Sequence, residues 1–369
     1  MALRFSFTAI VALLFSASCG EATSEEPSPP PPAKWPPVVL GEKITAENET
    51  WTWVDFPEST CANGIETGIG VNLTTRSDRT FIYLMHGGAC WDEATCLVLK
   101  LATNFETGYV KSDFEKDTKG FLKRTIFDRD DPTNPFRDFN FVFVPYCTGD
   151  AHAGDHVAQY GSYTAHHRGR VNVEAYLKRI VPTFPTAKQV VFAGSSAGGM
   201  GATYHWWRVQ NYFGNVPVDL LVDSGTILTR EYFSKEREDA WRKAWNLDPG
   251  LPPDCTTCAP LAGIFDYYAG RFPNRKAAFV SFQKDTVLSV FFGIGQSNFK
   301  EGLALLTEQK FAPHPNFKYF QVDESDHILF KSMPSSNGVT LNDWMRHLTE
   351  DTSSEWQNVL PPIASFGDP

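Results

Sequence analysis

Gln189-Val190-Val191-Phe192-Ala193-Gly194-Ser195-Ser196-Ala197-Gly198-Gly199 is the stretch that decides the fold. Its first five residues form a mostly apolar run of strand character. The next six are all small, and Met200 to Tyr212 then reads as a helix. Strand, tight turn around a serine, then helix is the context in which G-x-S-x-G becomes a nucleophile elbow. Gly194, Ala197, Gly198 and Gly199 leave the room such a turn needs, and Ser196 is its candidate nucleophile. At the start of a helix, backbone N–H groups and the helix dipole favour developing negative charge. A phosphate-cradling glycine loop would need Lys after the last glycine, or G-x-G-x-x-G, and neither occurs here.

Working outward, the same kind of apolar run recurs. Thr80 to Met85, Phe139 to Pro145, Leu220 to Ser224, Ala277 to Phe282 and Phe317 to Val322 all read as buried strands. Between them, Val173, Tyr176, Leu177 and Ile180 share a helical face. Strands alternating with helices predict one α/β domain of the hydrolase type, a mostly parallel central sheet with helices on both faces.

The serine needs partners. His86-Gly87-Gly88-Ala89 ends the Thr80–Met85 run, where a glycine loop supplies oxyanion donors in esterases. The expected donors are the N–H groups of Gly88, Ala89 and Ala197. In this fold the acid and the base follow the serine in that order. His327, just past the Phe317–Val322 run, is the expected general base; His205, His314 and His347 are placed less favourably. Asp285, just past the Ala277–Phe282 run, is the expected acid. Asp323 and Asp326 lie too near His327 in sequence, and Asp223 is a weaker candidate. The plain reading of His86 is a strand-end residue hydrogen-bonded to nearby backbone. Asp150, His152, Asp155 and His156 read as a polar loop at the cleft rim, with Asp150 and His152 as substrate contacts. No metal is expected there. His166 to Gly169 reads as a turn ahead of the next helix.

These residues resemble the pectin acetylesterase/Notum family from about Cys61 to Trp344. The likeness rests on the Gly87-Gly88 loop followed by Cys90, on Pro145-Tyr146-Cys147-Thr148-Gly149-Asp150, and on the Gly-x-Ser-Ala-Gly-Gly elbow. Asp285 and Asp326-His327 fall where that family carries its acid and base, and the resemblance implies a Cys90–Cys96 disulfide. Family members commonly have an acidic residue before the double glycine and a Trp after it, where this chain has His86 and Ala89. The exchange of Trp for Ala89 is expected to open space beside the oxyanion loop.

The resemblance implies a carboxylic ester hydrolase that needs no cofactor and removes acetyl groups from an esterified polysaccharide such as pectin. A lipase or Notum-like deacylase would need a deep apolar pocket near Ala89, for which Trp91, Phe291 and Phe292 are candidate walls, though core positions account for them equally well; Trp91 is also a candidate substrate contact. A catalytically silent, surface-anchored binding protein is the reading from another class. Against it stands the intact set of Ser196, Asp285, His327 and glycine loop.

With 42% hydrophobic residues, the 369-residue chain can bury a sizeable core. A net charge of −10 argues against a nucleic-acid partner, which would require a basic surface. Residues 1–18 read as an export signal, with Arg4 ahead of an apolar run too short to span a bilayer. Ser16-Ala17-Ser18-Cys19 resembles a bacterial lipobox, so lipidation of Cys19 would anchor the chain to a membrane. Residues 19–37, with Pro29 to Pro32 unbroken, read as an extended tether, and 38–369 as the catalytic domain. The expected product is a monomer, secreted or held as a bacterial outer-membrane lipoprotein. Setting Cys19 aside leaves Cys61, Cys90, Cys96, Cys147, Cys255 and Cys258, an even number suited to an oxidising compartment. Six cysteines allow fifteen pairings. Proximity favours Cys90–Cys96 and Cys255–Cys258, leaving Cys61–Cys147.

Overall fold

The computed structural model describes residues 35–350 and 353–362. The expected signal segment, Cys19 and the tether up to residue 34 lie outside the described residues. The end of that tether is part of the folded body. Trp35 packs edge-on against Trp207 and Phe272 beneath the Arg271 guanidinium, and Pro36 O accepts from Asn211. Among the described residues, Trp35 and Pro36 thus already pack on the folded body, ahead of residue 38.

The central sheet has eight strands: β1 (Thr52–Thr60), β2 (Glu66–Asn72), β3 (Arg79–Leu84), β4 (Asn140–Val144), β7 (Gln189–Ser195), β8 (Val218–Asp223), β9 (Ala277–Phe282) and β10 (Phe317–Val322). Their order is β1-β2-β4-β3-β7-β8-β9-β10, and β2 alone runs antiparallel to its neighbours. A separate hairpin, β5 (His156–Tyr160) with β6 (Tyr163–His167), stands off the main sheet. The residues expected to make a turn at 166–167 close this hairpin instead.

Among the described residues eight α-helices accompany these strands: α1 (Lys111–Asp117), α2 (Gly169–Thr183), α3 (Ala197–Phe213), α4 (Lys235–Trp245), α5 (Ile264–Arg271), α6 (Leu288–Phe292), α7 (Gly295–Leu306) and α8 (Leu341–Thr349). Strand side chains alternate between two apolar layers, which is why the strands read as near-continuous apolar runs. Val190, Phe192, Leu220 and Val222 face α2 to α7, while Val191, Ala193, Leu221 and Val280 face α1 and α8. Parallel order brings the carboxyl ends of β3, β7, β8, β9 and β10 to one edge, the usual place for a site in an open α/β sheet.

Candidate active site

Ser196 joins β7 to α3 with φ 54° and ψ −121°, a conformation L-residues avoid and which costs on the order of 1–3 kcal/mol. The surroundings enforce it. Ser196 N donates to Asp223 O at 2.8 Å, and Met200 N returns to Ser196 O at 3.0 Å to start the helix. Gly198 packs so closely that an added Cβ would lie 2.0 Å from Leu84 O. Of the two serines in the elbow, Ser195 is occupied, donating to Asp223 Oδ2 at 2.8 Å. Among the described residues no protein group hydrogen-bonds Ser196 Oγ, which leaves that hydroxyl free to turn. Catalytic hydrogen bonds are often open until substrate binds.

The loops after β9 and β10 are stitched to each other. Gln283 N donates to Val322 O at 2.8 Å, Lys284 N to Glu324 O at 3.3 Å, and Thr286 N to Asp326 O at 3.3 Å. This brings Asp285 Oδ2 to 2.7 Å from His327 Nδ1, with Asp285 fully buried and His327 nearly so. The other carboxylate oxygen, Oδ1, accepts from Val287 N at 2.9 Å and Leu288 N at 2.8 Å, so the acid is fixed from both ends. A carboxylate on Nδ1 sets the proton there and leaves Nε2 as the acceptor.

The rival acids are each engaged elsewhere. Asp323 pairs at the surface with Lys284 and Lys300, and Asp326 Oδ1 accepts from His327 N at 2.7 Å. Asp223 has a structural task that the sequence did not disclose. Its buried carboxylate accepts from Ser195 Oγ, Ser224 Oγ, Leu329 N (2.9 Å) and Phe330 N (3.2 Å), while Ser224 Oγ accepts from Ile328 N (3.2 Å). It thus ties the elbow strand to the backbone just after His327. Ile328, at φ 68°, is bent into the left-handed region by this clamp, an outlier for a β-branched residue. Burial raises the Asp223 carboxyl above the usual carboxylate range, which the hydrogen bonds from Ser195, Leu329 and Phe330 oppose.

The glycine loop is held from several sides. Thr103 N donates to Gly87 O (2.8 Å), Cys90 N to Gly149 O (2.8 Å), and Trp245 Nε1 to Cys90 O (2.8 Å). Gly88 has φ +72°, and a Cβ there would lie 2.0 Å from Leu101 O, so no other residue fits. Ala197 N is the first amide of α3, directly after Ser196. The disulfides are Cys61–Cys147, Cys90–Cys96 and Cys255–Cys258, and the second closes the loop beyond Ala89.

Several expectations need correction. The Phe291 ring closes on the glycine loop, reaching 3.3 Å from where a Gly88 Cβ would stand. Phe292 is core, packed on Phe233 and Trp241. Asp150 and His152 are buried and do not sit at the cleft rim. Asp150 accepts from Thr148 Oγ1 and from the amides of Gly154 and Gly169, and His152 Nε2 donates to Met85 O at 2.8 Å. Both shape the loop under the site. Asp155 pairs with Arg168 and Arg170, and His156 Nδ1 donates to Ala244 O, so this stretch does not converge on one point. Among the described residues no cluster of His, Cys, Asp or Glu is arranged to hold a metal. The expected backbone bond of His86 is missing: among the described residues its buried Nδ1 has no partner, and burial pushes the ring down to about 4. Trp91 is half-exposed, beside Trp241 and under the Arg237 guanidinium.

Comparison with known proteins fits this arrangement. The pectinacetylesterase family pattern matches residues 52–257, more than half of the chain. The chain belongs to the pectinacetylesterase family. Among curated relatives, a palmitoleoyl-protein carboxylesterase, notum2 of Xenopus laevis, is 31% identical over 211 residues, covering 53% of this chain and 42% of the relative. The palmitoleoyl-protein carboxylesterase NOTUM of Drosophila melanogaster is 24% identical over 241 residues, covering 61% and 35%. This pectinacetylesterase-family chain therefore spans less than half the length of those relatives. A solved structure of the Wnt deacylase Notum from Drosophila superposes with a TM-score of 0.65 at 19% identity, covering 86% of this chain and 97% of that one. That likeness establishes the α/β-hydrolase fold.

Proposed function

We propose that this chain is a serine carboxylesterase that removes short acyl groups, acetyl above all, from an esterified polysaccharide such as pectin. The observation that carries the reading is the buried Asp285–His327 pair at 2.7 Å, on the same sheet edge as the strained Ser196 elbow. In the reaction, His327 Nε2 takes the Ser196 proton as Oγ attacks the ester carbonyl. The amides of Gly88, Ala89 and Ala197 receive the oxyanion. The imidazolium, steadied by Asp285, returns the proton to the departing sugar hydroxyl, leaving an acyl-serine. Water, deprotonated by the same histidine, attacks the acyl carbon and releases the acid and Ser196.

Support for a short acyl group comes from a small apolar cavity against the first turn of α3. Ala151, Met200, Ile227, Trp241 and Trp245 line it, and it holds about 30 Å³. The second reading, a deacylase for long chains, is favoured by the palmitoleoyl-protein carboxylesterases among the relatives. The three disulfides fit an oxidising compartment, and we read the protein as exported. Lipid attachment at Cys19 belongs to that reading.

The test is hydrolysis of p-nitrophenyl esters from acetate to palmitate by wild type and Ser196→Ala. Rates that fall steeply beyond butyrate and vanish in the variant are expected. A preference for long chains transfers the reading to the deacylase, and turnover that survives Ser196→Ala would sink both.

A further inference from the structure

Met85 is the first residue past β3 and leads directly into His86-Gly87-Gly88-Ala89. Its amide still joins the sheet, donating to Val144 O at 2.9 Å, but its carbonyl does not. Among the described residues the one donor to Met85 O is His152 Nε2, at 2.8 Å, from the loop after β4. We propose that His152 is a positioning residue for ester hydrolysis: by holding Met85 O it fixes the peptide plane from which the glycine loop departs, and so aims the amides that receive the oxyanion. The inference rests on the esterase reading for its consequence, though the placement of the loop is measurable without turnover.

The surroundings of that carbonyl are tight. A Cβ on Gly198, in the first turn of α3, would lie 2.8 Å from Met85 O, and one on Gly87 would lie 2.3 Å from the Tyr146 ring. The Tyr146 and His152 rings stand 4.7 Å apart, centre to centre, and together make a floor under Met85 and Gly87. A carbonyl enclosed in this way and stripped of its donor carries a desolvation penalty, which rotation of the peptide towards another partner relieves. The peptide turns as one plane, so that rotation also swings His86 N and displaces the start of the loop. Oxyanion donors act only when aimed, and a misplacement of about 1 Å can cost about 10²-fold in rate.

His152 is itself held in one place. Ala151 and His152 have φ of 52° and 59°, two successive residues in the left-handed region. Ala151 N donates to Tyr146 Oη at 2.8 Å, and His205 Nε2 donates to His152 O at 2.7 Å. Arg208 Nη1 donates to His205 Nδ1 at 2.6 Å, which fixes the tautomer that His205 needs, and Arg208 Nε pairs with Glu174 at 2.9 Å. From the other side, α3 leaves His152 no room to swing away, since a Cβ on Gly201 would lie 2.9 Å from its Cβ. A chain of bonds thus runs from Glu174 on α2, through two side chains of α3, to the carbonyl ahead of the glycine loop. Burial pushes His152 down to about 4, so the ring donates without placing a cation beside the site. Packing alone would be served by Phe; the donor is what a histidine adds.

The experiment compares wild type with His152→Phe and His152→Gln. Phe keeps a ring against Tyr146 and removes the donor, whereas the Gln amide nitrogen reaches about where Nε2 stands and restores it. Each protein is followed by p-nitrophenyl acetate kinetics, by the amide resonances of Gly87, Gly88 and Ala89, and by a thermal melt. His152→Phe is expected to lose about 10- to 100-fold in kcat with KM within about twofold, and to move the three amides. His152→Gln is expected to stay within about fivefold of wild type, with the amides near their wild-type shifts. Should His152→Phe not fold, His152→Asn takes its place, one bond too short to reach Met85 O. A residue that serves stability alone would lower the melt and leave the kcat of the folded protein unchanged. That result, or Phe and Gln variants equally slow, overturns the proposal. Wild type that hydrolyses no ester counts against the esterase reading; the resonances then decide alone, and loop amides unmoved in His152→Phe overturn the positioning role.

Discussion

Replacing Asp285 by Asn tests the candidate triad with little disturbance of the fold. Asp285 makes three bonds: Oδ1 takes the amides of Val287 and Leu288 at 2.9 and 2.8 Å, and Oδ2 faces His327 Nδ1 at 2.7 Å. An Asn side chain keeps its oxygen on the two amides, so the turn into α6 survives. Its NH₂ group then points at His327 Nδ1 and donates to it. That forces the ring proton onto Nε2, the atom that must accept the proton of Ser196. The folded state keeps its contacts, while the base is held in the wrong tautomer. A loss of about 10⁴ in kcat is expected, roughly 5.5 kcal/mol of barrier, with KM for a small ester nearly unchanged. Steady-state hydrolysis of p-nitrophenyl acetate near neutral pH reads the rate, and a thermal melt checks that the variant is folded. A folded Asp285→Asn protein that retains activity within about tenfold of wild type would refute the reasoning, since a base oriented by Asp285 cannot tolerate that amide.

Two further outcomes follow from buried groups. Asp223→Asn replaces an acceptor of four bonds by a side chain with one acceptor end, leaving a donor opposed to Ser195 Oγ or Phe330 N. Stability should drop by about 1–3 kcal/mol, and kcat by about 10- to 100-fold with KM held, as His327 loses its register with the elbow; a melt and a kcat against KM split check both, and unchanged kcat would remove the clamp from the account. His167 is fully buried and neutral, donating from Nδ1 to Thr148 O and meeting Tyr160 Oη at Nε2, and burial pushes it down to about 4. Its folded value lies below the unfolded one of about 6.5, so the unfolded chain takes up the proton first and stability falls as pH drops from about 6.5 towards 4. At pH 4.5 this one group has withdrawn about 2 kcal/mol relative to pH 7. Denaturation at the two pH values should show a shallower pH dependence in His167→Gln, and equal slopes would contradict the assignment.

Strands buried on both faces announce themselves as apolar runs, which is why β3, β4, β7, β8, β9 and β10 were legible in the sequence. The elbow was legible because its small residues have no other use in that order. β1 was hidden by Asp55, Pro57, Glu58 and Ser59 within Thr52–Thr60, residues that argue against a strand. β2 was hidden by Gly68 and Gly70. Those glycines are packing requirements, since a Cβ would lie 2.1 Å from Val54 O at the first and 2.2 Å from the Phe114 ring at the second. The β5–β6 hairpin has one small buried face and a polar outer one, so it leaves no apolar run. Asp150 and His152 read as exposed because their type is usually exposed; only the fold reveals the amides and the carbonyl that engage them.

The sheet order explains why the candidate acid comes from β9 when β8, one strand nearer the candidate nucleophile, ends in an aspartate of its own. β8 lies between the elbow strand and β9, so a carboxylate at its end faces the backbone of whatever loop crosses over it. In this chain that loop is the segment after His327, and Asp223 is consumed in gripping its amides. A second acid one strand further out, carried on a loop stitched to the base's own loop, can approach Nδ1 from the side. Two buried aspartates thus divide the work, one fixing where the histidine's backbone sits relative to Ser196 and the other fixing which way its ring faces. Exchanging their roles would require Asp223 to release two backbone amides into a buried site with nothing else to receive them, a cost of about 1–3 kcal/mol for each.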